Sequence, residues 1–436
     1  MTEHPYLDTS HISNIAPDRG PSKYFHGRTQ ILRDFNDFLR LAMEEKTGTI
    51  FLIQGAPGAG KTALLYECKK FAEKREWEIA EIDPPALWNL DELLYYLGKE
   101  DKVQFTGGSG EIGINAGVKA GVKLNVETNQ TRPTILKTLQ DGKKPLLLIL
   151  DEAQSLGIKD IVPSDQKRII NSVLNNIHNG RLRRSVILLA AGLEPSKSAF
   201  DDLGISRFRA GCFVELGALG KKAERAVIHD WLMKKGCAKG DPIEWIDAIV
   251  QKTHGWPQHI TVYGDAAAKQ IQKDQGVMTP EGLEIVYQTG RERRKAYYKQ
   301  RVVGIEGNEL ICLYEAIAGI EPGTPFGQDL ILAPLDKKYG YERAEEIFKK
   351  FIGKGLLSPV DTLYSVPIPS MHDWMKSELK RTHERLRQAK VVQNADAHCK
   401  SIDPDPEDRN TLKQPTQSKE SDIPPKDRGS KFDMER

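Results

Sequence analysis

The sequence predicts an α/β chain, with a mainly parallel sheet packed between helices and two smaller helical units after it. Three observations carry that prediction. Short apolar runs at residues 50–53, 146–150, 185–191 and 212–216 alternate with segments of helical spacing. A glycine-rich loop, residues 55–62, follows the first run and opens a helix. After Leu216 the strand signals stop, and helical periodicity dominates until about residue 356.

Residues 1–22 are polar, carry Pro5, Pro17 and Pro21, and read as a flexible arm. The α/β body spans 23–218. Ile31, Phe35, Phe38 and Leu39 recur at helical intervals up to Gly48. The run 50–53 reads as a strand buried on both faces. Beyond the glycine loop, Leu64, Leu65, Cys68, Phe71 and Ala72 share one helix face. Residues 79–82 alternate like a second strand. Residues 106–127 set six glycines among alternating Ile112, Ile114, Val118, Val122, Leu124 and Val126, the pattern of an inserted β-hairpin. The run 146–150 is the clearest buried strand. Strands alternating with helices imply right-handed crossovers.

Residues 219–302 read as a helical lid, with helical patterns over 221–236, 243–253 and 256–274. Thr279 caps a further helix that opens with Pro280 and Glu281. In residues 303–383, helices near 307–318, 326–335 and 341–354 precede two short strands, 356–359 and 363–367, around a turn at Asp361. A last helix begins near Pro369. The tail, 384–436, turns to Asp, Lys, Pro, Ser and Gln from about Gln388 and is expected to be disordered.

A chain of 436 residues with 39% hydrophobic residues can build two or three cored domains. Its net charge of +2 excludes a uniformly basic, nucleic-acid-coating protein, so any basic surface must be local. Five scattered cysteines without CxxC spacing argue against a zinc site and a disulfide framework, and suit a reducing compartment. The N-terminus lacks a basic, then apolar leader, and no apolar run could span a bilayer. A cytoplasmic protein with no membrane partner is expected.

The chemistry sits in Gly55-Ala56-Pro57-Gly58-Ala59-Gly60-Lys61-Thr62, which fits GxxxxGK[ST] throughout. Glycines at these positions let backbone N–H groups converge on phosphate oxygens, and the following helix adds its positive end. Lys61 reaches the β- and γ-phosphates of ATP, and the Thr62 hydroxyl ligates Mg²⁺. Residues 146–150 deliver Asp151 and Glu152 to the same sheet edge, on a strand expected to lie adjacent to that of the loop. Asp151 suits Mg²⁺, mostly through water, and Glu152 suits a water-polarising base.

At this point the chain resembles the AAA+ and STAND ATPases over roughly residues 24–380, especially the branch of origin-recognition ATPases, archaeal-type ATPases and transposition regulators. That resemblance implies a P-loop NTPase parallel sheet of the ASCE/AAA+ kind, a helical lid and a C-terminal winged helix. Phe25-His26-Gly27-Arg28 matches the family's hydrophobic-x-Gly-Arg motif and implies that Gly27 and Arg28 lie beside the adenine. Residues 186–193 take the place of the sensor 1 strand, but end in Ala190-Ala191-Gly192 where the family often has Asn or Thr. Gly204-Ile205-Ser206-Arg207-Phe208-Arg209 resembles the box that supplies an arginine finger to a neighbouring subunit of an ATP-dependent homo-oligomer. Arg207 is the first candidate and Arg209 the second, with a plain basic surface cluster as the alternative. His254-Gly255-Trp256-Pro257 resembles the lid motif near the base, which nominates Pro257. Gln258 and His259 follow where a sensor 2 arginine could stand, implying slow or partner-stimulated hydrolysis.

Two functions follow. One is a DNA-associated ATPase switch in replication initiation, transposition or mobile-element control. Its double-stranded DNA would meet the winged helix and the stretch Arg291, Arg293, Arg294, Lys295, Lys299 and Arg301, where Tyr297 and Tyr298 could stack. The other is a STAND-type signalling or defence ATPase whose C-terminal unit binds a protein. Glu342, Glu345 and Glu346 in the helix at recognition position oppose phosphate, while Lys349, Lys350 and Lys354 favour it. The basic stretch reads equally as a solvated helix face whose tyrosines pack on the core.

Overall fold

The computed structural model describes residues 22–99, 134–157, 162–360 and 362–400. The expected arm before residue 22, the hairpin at 106–127, Asp361 and the tail beyond 400 lie outside the described residues. Five parallel strands form the central sheet: β1 (Thr49–Gly55), β2 (Glu78–Ile82), β3 (Leu146–Leu150), β4 (Val186–Gly192) and β5 (Phe213–Leu216). β1, β3 and β4 are buried along their whole length, which is why they read as continuous apolar runs. β2 is partly exposed and therefore alternates.

The order across the sheet is β2-β3-β4-β1-β5. The expectation that Asp151 and Glu152 ride on a strand adjacent to β1 is therefore corrected: β4 lies between. Its Thr49↔Ile187 register to β1 and Leu146↔Val186 register to β3 place all three C-terminal ends at one edge.

Helices α1 (Thr29–Glu45), α2 (Lys61–Lys74), α3 (Leu90–Tyr96), α4 (Ile135–Gln140), α5 (Lys167–His178) and α6 (Pro195–Asp202) complete the α/β body. Alternate strand residues feed two cores. Phe51, Ile53, Leu147 and Leu189 pack with Phe35, Leu39 and Leu64 on one side. Leu52, Leu148, Leu150 and Leu188 pack with Ile170, Leu174 and Phe200 on the other.

The segment expected to be a lid is helical: α7 (Lys221–Asp230), running into a π-helical turn at Trp231–Lys235, then α8 (Ile243–Thr253), α9 (Pro257–Lys273) and α10 (Pro280–Arg301). Thr279 Oγ1 accepts from Gly282 N at 3.0 Å, so the cap forms as its sequence suggests. Next come α11 (Gly307–Ile317), α12 (Asp329–Tyr339) and α13 (Tyr341–Gly353), then an antiparallel pair, β6 (Ser358–Val360) and β7 (Leu363–Ser365). An isolated bridge from Phe326 to Tyr364 adds a third short strand contact. Leu313, Leu335, Phe351 and Leu356 from this region join the core cluster that holds Phe51 and Ala59, so the three-helix unit packs continuously with the sheet's first face.

Helix α14 (Pro369–Lys400) continues past Gln388, into a stretch expected to lack structure. Its Lys, Arg, Gln, Glu and Ala residues favour helix without needing a core. The chain divides after Leu379, and the described part of the second unit is the remainder of this helix. Among the described residues no helix is long and apolar enough to cross a membrane, and Cys68, Cys212, Cys237 and Cys312 are free thiols.

Candidate nucleotide site

β1 ends on Gly55, where a Cβ would sit 2.8 Å from Leu216 O on the neighbouring strand. The chain then turns through Ala56–Gly60. Gly58 (φ 78°) and Gly60 (φ 90°) adopt left-handed conformations that side chains resist, and Gly60 is the residue from which α2 starts. Ala56 and Ala59 are buried beneath the loop. Lys61, the first residue of α2, curls back: Nζ donates to Gly55 O at 2.8 Å and Ala56 O at 3.2 Å. The ammonium thus crosses the hollow that the loop encloses. Burial pushes Lys61 down to about 8, against the opposing pull of the Glu152 and Asp151 carboxylates.

Thr62 Oγ1, on α2, donates to Asp151 Oδ2 at 2.8 Å, although β1, which leads into α2, and β3 are not neighbours. A hydroxyl and a carboxylate oxygen converging at the mouth of a phosphate loop suit Mg²⁺, a hard cation that keeps several waters and takes few protein ligands. Glu152 stands beyond Asp151, exposed, with a left-handed φ of 56°. Its own N–H donates to Asp151 Oδ1 at 2.9 Å, and its carboxylate accepts from Gln154 Nε2.

Beside the loop lies a largely apolar pocket lined by Phe25, Ala59, Ala63, Leu219, Pro257 and Ile260 among others. Its chemistry fits a flat base whose phosphates enter the loop. Gly27 (φ 83°) admits no Cβ, which would fall 2.8 Å from Ala223 Cβ. Arg28, at the start of α1 and also left-handed, donates to Gly217 O and lines the pocket. His26 Nε2 lies 2.8 Å from Asp230 Oδ2, tying this segment to the lid. Pro257 comes from the lid side, 3.6 Å from where a Gly60 Cβ would stand.

This geometry has parallels among solved structures. A Walker-type ATPase of Pyrococcus abyssi, PABY2304, superposes with a TM-score of 0.53 at 16% identity, covering 82% of this chain and 98% of that one. The Aeropyrum pernix ORC2 protein in ADPNP-ADP complexes superposes at 0.51 with 15% identity, covering 86% and 97%. The fold is that of a P-loop NTPase. No protein-family model matches the sequence, and no curated protein matches it.

Within this fold the remaining expectations fare differently. Arg207 and Arg209 are exposed on the loop that leads into β5, so they face the N-terminal edge of the strands, away from Lys61. Both lie close to His178 of the same chain. Of the two readings of the tyrosines, packing on the core is the one the geometry matches. Tyr298 is 1% exposed, and its hydroxyl lies 3.0 Å from His259 Nε2 and 2.7 Å from Ser370 Oγ. Tyr297 turns inward against Gly58, with Oη 3.0 Å from where that residue's Cβ would be. Arg293 pairs with Asp265 at 2.9 Å, and Arg294 donates to Lys252 O at 2.8 Å. On α13, Arg343 and Lys350 pair with the buried Glu309, and Lys349 pairs with Glu345.

Sequence reasoning missed several neighbours of the loop. Gln54, Gln154 and Glu194 converge behind it. Arg301 stacks over Tyr297 at 5.1 Å, and Gly355 packs onto the Pro57 ring. Gln54 alone carried a signal, since a polar side chain inside a buried strand must find partners.

Proposed function

We propose that the chain binds ATP with Mg²⁺ at residues 55–62 and hydrolyses it, working as a nucleotide-driven switch. The contact of Thr62 with Asp151 at 2.8 Å carries this reading, because it joins the end of the P-loop to the acidic pair across an intervening strand. Lys61 exchanges the carbonyls of Gly55 and Ala56 for the β- and γ-phosphate oxygens. Thr62 and Asp151 hold the Mg²⁺ ion, which when bound supplies charge neutralisation at the phosphates. Glu152 orients and polarises the attacking water. Gly27, Arg28 and Pro257 flank the base, and Arg207 of one molecule completes the site of the next in an ATP-dependent homo-oligomer.

The three-helix unit and its β6–β7 pair are a winged-helix module that reads the nucleotide state within its own chain, since Gly355 rests on Pro57. Its partner is better sought among proteins than in duplex DNA. Arg343, Lys349 and Lys350 of α13 are paired within the chain, and both tyrosines of the basic stretch face inward. Two experiments test this. Lys61→Ala should abolish ATP binding, and Glu152→Gln should keep binding and stop turnover. Retained turnover in Glu152→Gln removes its catalytic role. Duplex binding across a salt series, with and without ATP, should be flat; a steep slope restores the DNA reading.

A further inference from the structure

The side chain next to the exposed Glu152 carboxylate is Gln154, and its amide is bonded at both ends. We propose that Gln154 is a positioning residue that aims the Glu152 carboxylate at the attacking water. This rests on the ATPase reading above.

Gln154 lies on the short helical turn Ala153–Gly157 that follows the acidic pair. Its amide is used at both ends. Nε2 donates to Glu152 Oε2, and Oε1 accepts from Leu193 N at 2.9 Å. Only one orientation of the amide satisfies both, because a carboxylate needs a donor and an N–H needs an acceptor. Glu152 is thereby fixed to the end of β4, with Oε2 held and Oε1 left for water. A long exposed glutamate would otherwise sample several rotamers, and each strays from the reacting geometry.

Gly192 makes the space. A Cβ there would collide with Ser196 Oγ, lie 2.6 Å from Gln154 Oε1 and lie 3.0 Å from Ala153 N. The residue that denies β4 a polar side chain at its last position therefore admits the Gln154 amide. The far side of the same turn is held the same way. Gln54, at the end of β1, donates to Glu194 Oε2 at 2.6 Å and accepts from Lys197 N at 3.1 Å. Two glutamines, one from each segment bearing the nucleotide machinery, thus clamp residues 193–197.

The test separates aiming from simple support. Gln154→Glu keeps the acceptor for Leu193 N and the side-chain volume but loses the donor to Glu152. Gln154→Ala loses both. With a fluorescent ATP analogue for affinity and phosphate release for turnover, both variants should lose at least about tenfold in kcat while ATP affinity stays within about twofold. Wild-type kcat in Gln154→Glu overturns the proposal, as does a parallel loss of affinity and turnover. A wild-type protein that binds ATP without turning it over defeats the hydrolysis reading and this proposal with it. Turnover that Gln154→Glu leaves unchanged defeats this proposal alone.

Discussion

Raising the pH through 8 should weaken ATP binding, because the P-loop lysine is buried before nucleotide arrives. Burial pushes Lys61 down to about 8 from an ordinary 10.5. In the free protein the ammonium is therefore mostly charged at pH 7 and mostly neutral at pH 9. A triphosphate requires the charged form and raises the pKa in the complex, so binding above pH 8 must take up a proton. Affinity should fall by up to about tenfold per pH unit above the Lys61 pKa, and proton uptake on binding should rise towards one over the same range. Fluorescent-nucleotide titrations at fixed ionic strength give the first quantity. Calorimetry in buffers of different ionisation heat gives the second. Lys61→Arg, whose charge persists, should bind with little pH dependence. The free protein behaves in the opposite sense. A lysine with a lowered folded pKa makes the fold more stable as pH rises from 8 to 10.5, and ATP removes that gain. Constant affinity from pH 7 to 9 without proton uptake refutes the buried-ammonium picture.

Glu194, Gly355 and Arg207 carry three more predictions. Burial and then the nearby Glu215 push Glu194 up to about 7 from 4.5, so its contribution to stability is present below pH 4.5 and lost as pH rises through 7. Glu194→Gln should match wild type in urea unfolding at pH 4 and exceed it by about 1–2 kcal/mol at pH 8, after discounting for partial exposure; equal differences at both pH values contradict this. Gly355→Ala meets both a left-handed φ of 68° and the Pro57 ring. It should cost about 1–3 kcal/mol and weaken ATP binding, while Gly353→Ala, with open space around it, should do neither in thermal melts and titrations. Arg207→Ala should leave ATP affinity and stability unchanged but lower steady-state turnover, and a Lys61→Ala partner carrying an intact Arg207 should rescue it; no rescue shows that the finger is not supplied in trans.

The sheet strands and the P-loop were legible because their signals are local. A buried strand announces itself in five apolar residues, and 55–62 carries its phosphate geometry in consecutive positions. Lid helices were legible through Thr279 and Pro257, which mark starts by their own backbone chemistry. The order of strands was not, because nothing within β1, β3 or β4 says which pairs with which, and β4 intervenes. α10 left two readings open because it is polar along most of its length. Tyr297 and Tyr298 gave no hint that the lid and the sheet lie on their side of it. α14 extends further than its composition suggested because helix propensity persists where core-forming residues run out. The contact of Gly355 with Pro57 spans most of the chain, so no local pattern encodes it. Gln154 shows the same limit, since a glutamine after an acidic pair is ordinary until Leu193 is found opposite it.

A structure of the protein with a non-hydrolysable ATP analogue and Mg²⁺ tests the central claim most directly. The account predicts that Lys61 Nζ leaves the carbonyls of Gly55 and Ala56 for the terminal phosphates. It also predicts that the metal enters between Thr62 and Asp151, with the base against Phe25 and Pro257. Nucleotide bound elsewhere, or Lys61 still folded onto its own loop with the analogue present, contradicts it.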